Sequence, residues 1–202
     1  MEKLEILPMK LYKFKLPEKL YESVKARCNQ IPWSEAPTRD NAAHFGKSYP
    51  SEGGLHNRDD WKDLTGWSQR KVDEVVKDLG YTQMEYLKIN LMWANKSERL
   101  QWHHPHIHPN SILSGIIYIQ GDTGYTWFSR TSDYDIRTRY DVILPNPQII
   151  HKQKPENGSL LIFPSTLMHS VDENTGPQDR ITMSFNTFFK GTIGTGLTEL
   201  TI

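Results

Sequence analysis

With 202 residues, 37% hydrophobic and 24% charged, the chain can bury a sizeable core in one domain and has the make-up of a soluble globular protein. Its 24 Lys+Arg balance its 24 Asp+Glu, which removes any electrostatic case for a nucleic-acid or membrane partner. A single cysteine, Cys28, excludes an internal disulfide framework and argues against a cysteine-based zinc site.

No apolar run approaches the roughly 18 residues that span a bilayer. The N-terminal MEKLEILPMK lacks the apolar stretch and cleavage site of a secretory signal, so a cytoplasmic protein is expected. Residues 9–15 alternate and predict a first strand. Pro17 then opens a helix to about Asn29, with Leu20, Val24 and Cys28 along one side. The stretch 32–60, rich in Pro, Ser, Asn, Gly and Asp, reads as loop. A second helix is expected from Ser68 to Leu79, ending at Gly80, with Val72, Val75, Val76 and Leu79 as its apolar face.

From residue 84 strand signals accumulate: 84–94, 111–120, 125–129, 140–144, 148–153, 159–163, 167–172 and 180–189. Short strands at close spacing, split by Gly, Pro and Asn turns, predict a mainly β sandwich or barrel with N-terminal helices on one face. A double-stranded β-helix (a cupin-like jelly roll) fits this order. The expected organisation is a single domain over 1–202, with helices and loops over 1–83, a β core over 84–189 and a tail over 190–202.

Four of the eight histidines, His103, His104, His106 and His108, fall within six residues. In an extended segment, positions two apart point the same way, so His106 and His108 can aim at one point, as can His104 and His106. Imidazole suits iron, zinc, copper and nickel. A solvated polar loop accounts easily for one histidine and poorly for four. His169, in a strand after a Pro164–Ser165 turn, would on its own be read as a packed residue. In the run RITMSFN, Arg180, Thr182 and Ser184 share one face, and an inward-pointing Arg180 needs an anion beside it. Other polar candidates lie between Trp33 and Trp61: Arg39, Asn41, His44, Tyr49 and His56. Trp93, Trp102, Trp127 and His151 read as structural.

Taken together, the segment from His106 to Tyr118 (HIHPNSILSGIIY), the Phe163-Pro164-Ser165 turn before His169, and the strand led by Arg180 resemble the 2-oxoglutarate/Fe(II)-dependent oxygenases. The likeness is greatest to a bacterial and phage group related to the prolyl hydroxylases, and it covers roughly 84–189. It implies a metal site of His106, His108 and His169, which would also be the catalytic centre, with Fe(II), 2-oxoglutarate and O2 as cofactor and cosubstrates. It implies that Arg180, 11 residues after His169, binds the far carboxylate of 2-oxoglutarate, helped by Thr182 and Tyr118. The family pattern puts Asp or Glu where His108 stands. Three arrangements are therefore open: three histidines, two histidines plus water or substrate, or a register shifted to His104 and His106.

The expected reaction is hydroxylation of a C–H bond in a substrate the sequence does not identify: a small molecule, a protein side chain or a nucleobase. The rivals are a three-histidine cupin dioxygenase without 2-oxoglutarate, and a non-catalytic metal-binding barrel.

Overall fold

The computed structural model describes residues 9–35, 47–49, 54–80, 87–129, 149–194 and 196–201. In chain order the elements are β1 (Tyr12–Lys15), α1 (Glu18–Cys28), β2 (Ser34–Glu35), β3 (Lys47–Tyr49), α2 (Lys62–Asp78), β4 (Leu87–Ser97) and β5 (His103–His106). They continue as β6 (Leu113–Gln120), β7 (Thr126–Ser129), β8 (Ile149–Gln153), β9 (Ser159–Pro164), β10 (Met168–Val171), β11 (Arg180–Phe189), β12 (Thr192–Ile193) and β13 (Leu200–Thr201).

Two antiparallel sheets carry the architecture. The larger runs β1-β9-β6-β11-β4-β3-β2 and the smaller β5-β10-β7-β8. This is the jelly-roll arrangement of a double-stranded β-helix, as expected. The large sheet is covered on both faces, which explains why β6 and β11 are buried almost without interruption. One face packs on the helices through Ile117, Ile119, Leu160, Ile162, Met183 and Phe185 against Val24, Leu64, Val72 and Val76. The other face meets the small sheet through Ile116, Tyr118, Leu161 and Phe163 against Phe128. Each such side chain contributes about 1.5–3 kcal/mol of transfer free energy when fully buried. Gly115 leaves room for the Phe185 ring: a Cβ there would lie 2.2 Å from it.

The helices differ from expectation at their ends. The first begins just after Pro17, with Val24 and Cys28 buried, as its four-residue spacing implied. The second starts at Lys62 rather than Ser68. Its apolar face extends upstream through Trp61, Leu64 and Trp67, all buried. Asp63 accepts a bond from the Leu64 amide (2.7 Å) and two from Arg27 of α1 (2.9 Å each). The low helix propensity of Thr65 and Gly66 conceals this first turn and a half in the sequence. Leu79, expected on the apolar face, lies past the last helical residue and is exposed.

The segment read as loop also holds structure. β2 and β3 pair with each other, and β3 pairs with β4, extending the large sheet. Short 3-10 turns at Leu55–Asn57 and Asp59–Trp61 lead into α2. In the C-terminal tail, β12 and β13 form a small hairpin. The expected strand at 140–144 lies outside the described residues.

Candidate metal and anion site

The site sits between the sheets, on the inward face of β5 and β10. His169, on β10, pairs across the strands with His106 of β5 and with Phe128 of β7. It is 3% exposed, wedged against Phe163 with ring centroids 4.9 Å apart. His106 ends β5, and His108 follows two residues later outside any strand. The ligand atoms of His106, His108 and His169 all lie within 4.8 Å of one another. The Nε2 atoms of His108 and His169 stand 3.2 Å apart.

Backbone carbonyls fix which nitrogens face the centre. Nδ1 of His169 donates to the Leu167 carbonyl and Nδ1 of His106 to the His104 carbonyl, each at 2.9 Å. Each bond leaves an Nε2 lone pair for a metal, the usual way such ligands are oriented. Imidazole–metal bonds of about 2.0–2.1 Å put two nitrogens at right angles on one ion roughly 3 Å apart, which the His108–His169 separation matches. Burial, reinforced by the neighbouring imidazoles, lowers His169 to about 3 and His108 to about 4. The group therefore presents neutral rings, the form that binds metal. The chemistry and spacing of these donors fit a first-row metal ion.

A network of small polar residues holds the loops that carry the histidines. The amide of His108 donates to the Ser165 carbonyl (2.9 Å), and the Ser165 amide to the Ile112 carbonyl (3.0 Å). The Ser165 hydroxyl, completely buried, bonds the hydroxyls of Ser111 and Ser114 at 2.8 Å each. Ser114 also donates to Asn186 (2.9 Å). The HPNS and FPS motifs are thus two sides of one clamp.

Beyond the histidines lies a buried cation. Arg180 is 6% exposed; its Nη1 donates to the Gly124 carbonyl (3.2 Å), while its Nε has no partner among the described residues. Burial lowers its pKa to about 10, against support from Tyr118 and Asp172. Gly121 and Gly124 make room for it: a Cβ at either would come within 2.9 Å of the Arg180 side chain. A guanidinium held this way has donors to spare for an anion such as a carboxylate.

Thr182 and Tyr118 face each other across the β11–β6 ladder, both buried, beside Arg180. The Tyr118 hydroxyl shares a 2.8 Å bond with Thr126. Burial pushes Tyr118 up to about 12.

The structure therefore brings His106, His108 and His169 together, and Arg180, Thr182 and Tyr118 together nearby. His104 is exposed and stands outside the triad, contributing its carbonyl to His106. Trp93, expected as core packing, has its ring 5.8 Å from that of His108 and walls the site. His151 is exposed near Gln153. Trp127 lies under Lys152, whose Nζ is 4.1 Å from its ring centre. His56 is half-buried on the turn before α2. Arg39, Asn41 and His44 lie outside the described residues, as does the side chain of Tyr49. Sequence reasoning missed Thr126 and Ser165 as parts of the site, and it left His103 unassigned. Only the clustering of histidines hinted at His103.

Residues 91–186 match the family model described as "Putative 2OG-Fe(II) oxygenase". No curated protein matches the chain by sequence. Solved structures similar in fold include the following three. A Pseudomonas putida prolyl-4-hydroxylase aligns with a TM-score of 0.61 at 13% identity, over 91% of this chain and 94% of that one. HygX from Streptomyces hygroscopicus, with nickel and 2-oxoglutarate bound, aligns with a TM-score of 0.62 at 9% identity, over 89% and 83%. A prolyl hydroxylase from Trichoplax adhaerens, in complex with a hypoxia inducible factor oxygen degradation domain peptide fragment, aligns with a TM-score of 0.60 at 12% identity, over 88% and 83%.

Proposed function

We propose that the chain is a 2-oxoglutarate/Fe(II)-dependent oxygenase, as the match over residues 91–186 and the shared fold support, and that it hydroxylates a C–H bond using His106, His108 and His169 to hold the iron. In this reading Arg180 holds the far carboxylate of 2-oxoglutarate, and Thr182 and Tyr118 line its berth. One observation carries it: three convergent imidazoles share an interior with a buried guanidinium whose Nε is unsatisfied. When bound, the iron centre supplies the oxidising chemistry, with 2-oxoglutarate and O2 consumed to give succinate, CO2 and a hydroxylated product.

The chain's residues prepare that chemistry. The carbonyls of His104 and Leu167 orient two of the rings. The clamp through Ser165 fixes the approach of His108. Arg180 fixes the direction of the cosubstrate along the pocket by a charge-assisted, two-pronged contact. Phe128, Phe163 and Trp93 keep water from the inner wall. Three neutral imidazoles leave the centre one charge more positive than two imidazoles and a carboxylate. The peptide bound by the Trichoplax prolyl hydroxylase supports a protein side chain as one candidate substrate class beside a small molecule.

The three-histidine cupin alternative gives Arg180 no cosubstrate, whereas the buried guanidinium favours one. The test is aerobic incubation of the Fe(II)-loaded protein with 2-oxoglutarate, following oxygen uptake and succinate. Succinate that requires both iron and 2-oxoglutarate, and is lost in His169→Ala, is expected. A protein that binds no iron, or forms no succinate with any candidate substrate, would end the reading.

A further inference from the structure

The small sheet presents two inward rows of side chains to the pocket. One row crosses the strands as His106, His169 and Phe128, and is the metal row. The other crosses as His103, Val171 and Thr126, two residues further along β10. The second row leads toward Arg180, because Thr126 bonds the Tyr118 hydroxyl and Tyr118 neighbours Arg180. β5 joins these rows irregularly. Three residues of β10, from His169 to Val171, oppose four of β5, from His106 back to His103. That extra residue makes a bulge, which turns His103 and His106 to the same side although they are three apart. Their ring centroids lie 4.2 Å apart. His104 and Pro105, between them, are exposed.

We propose that His103 is a further cosubstrate-binding residue, whose imidazole donates an N–H hydrogen bond to the far carboxylate of 2-oxoglutarate alongside Arg180. The inference rests on the oxygenase reading above. A second donor suits a dianion confined in a buried pocket, where each carboxylate lone pair left without a partner is costly. Its position supports the role. It lies on the row of Thr126 rather than the row of His169, and its ligand nitrogens fall outside the group that converges on the metal position.

The test uses the full chain under anaerobic conditions, titrating 2-oxoglutarate into the Fe(II)-loaded protein and reading the visible charge-transfer absorption of the chelate. Pyruvate, which has the chelating end and no far carboxylate, is titrated in parallel. In His103→Ala the Kd for 2-oxoglutarate is expected to rise about tenfold or more, with pyruvate affinity, iron content and melting temperature unchanged. His103→Asn, which keeps an N–H donor, should recover part of the loss. Unchanged 2-oxoglutarate affinity in His103→Ala would overturn the proposal, as would an equal loss for pyruvate or a loss of iron. Arg180→Met separates the two levels of argument. If it also leaves 2-oxoglutarate binding intact, the cosubstrate reading itself fails. If it alone weakens binding, only the role of His103 falls.

Discussion

Arg180 shows what a single buried charge demands of its surroundings. Its guanidinium gains the Gly124 carbonyl and little else among the described residues. Isolated, such a group would be costly to bury, and the chain has gone further by placing glycines at 121 and 124 to admit it. The arrangement makes sense when a carboxylate completes it. Lysine would keep the charge but lose the planar fork. In Arg180→Lys, calorimetric titration of the metal-loaded protein should therefore show 2-oxoglutarate binding weakened by roughly 10- to 100-fold, since hydrogen bonds to charged groups contribute about 1.5–3 kcal/mol. Metal affinity should not move. Equal binding of 2-oxoglutarate by the two proteins would mean that Arg180 is a structural cation.

At the scale of elements, the turn between β9 and β10 does more than reverse the chain. Ser165 bonds the backbone of His108 and Ile112 and the hydroxyls of Ser111 and Ser114, and so ties His108 to the turn that leads into the strand carrying His169. Ser165→Ala should cost about 1–3 kcal/mol in denaturant unfolding, because Ser111 and Ser114 lose a buried partner. It should also weaken metal binding by about tenfold, the low end for groups that orient ligands from behind. Lower stability with unaltered metal affinity would show that the clamp serves the fold alone. The elements also show what a sequence can display. β11 was legible because polar and apolar residues alternate from Arg180 to Asn186 and Arg180, Thr182 and Ser184 fall on one face. His106, His108 and His169 were legible because the motif spacing survives folding. His103 was hidden because alternation assigns its partner two residues away, and the bulge in β5 makes that distance three. β2 and β3 were hidden in a Pro-, Ser- and Gly-rich stretch, where pairing of β3 with β4 and of β2 with β3, rather than local propensity, makes them strands.

The whole molecule couples these sites to its stability. The sheets are joined across the interior by one cluster around Phe128, Phe163, Leu161 and Tyr118, and the metal position lies at its edge. In the proposed reading, a metal ion held by His106, His108 and His169 would link the β5–β6 connection to β10, and 2-oxoglutarate held by Arg180 would link the site to β11. Each ligand that binds only the folded chain adds RT ln(1 + [L]/Kd), about 2.7 kcal/mol at a hundredfold excess over Kd. For a chain of this size each kcal/mol raises Tm by about 2–4 °C, so each ligand should add roughly 5–10 °C. Scanning calorimetry should then show two increments in order. Metal alone supplies the first, and 2-oxoglutarate supplies the second when metal is present, because chelation anchors one end of the cosubstrate. His169→Ala should abolish both increments, while Arg180→Met should keep the first and lose most of the second. A 2-oxoglutarate increment of full size in Arg180→Met, or a metal increment surviving in His169→Ala, would separate these residues from the ligands assigned to them and require another place on the molecule for each.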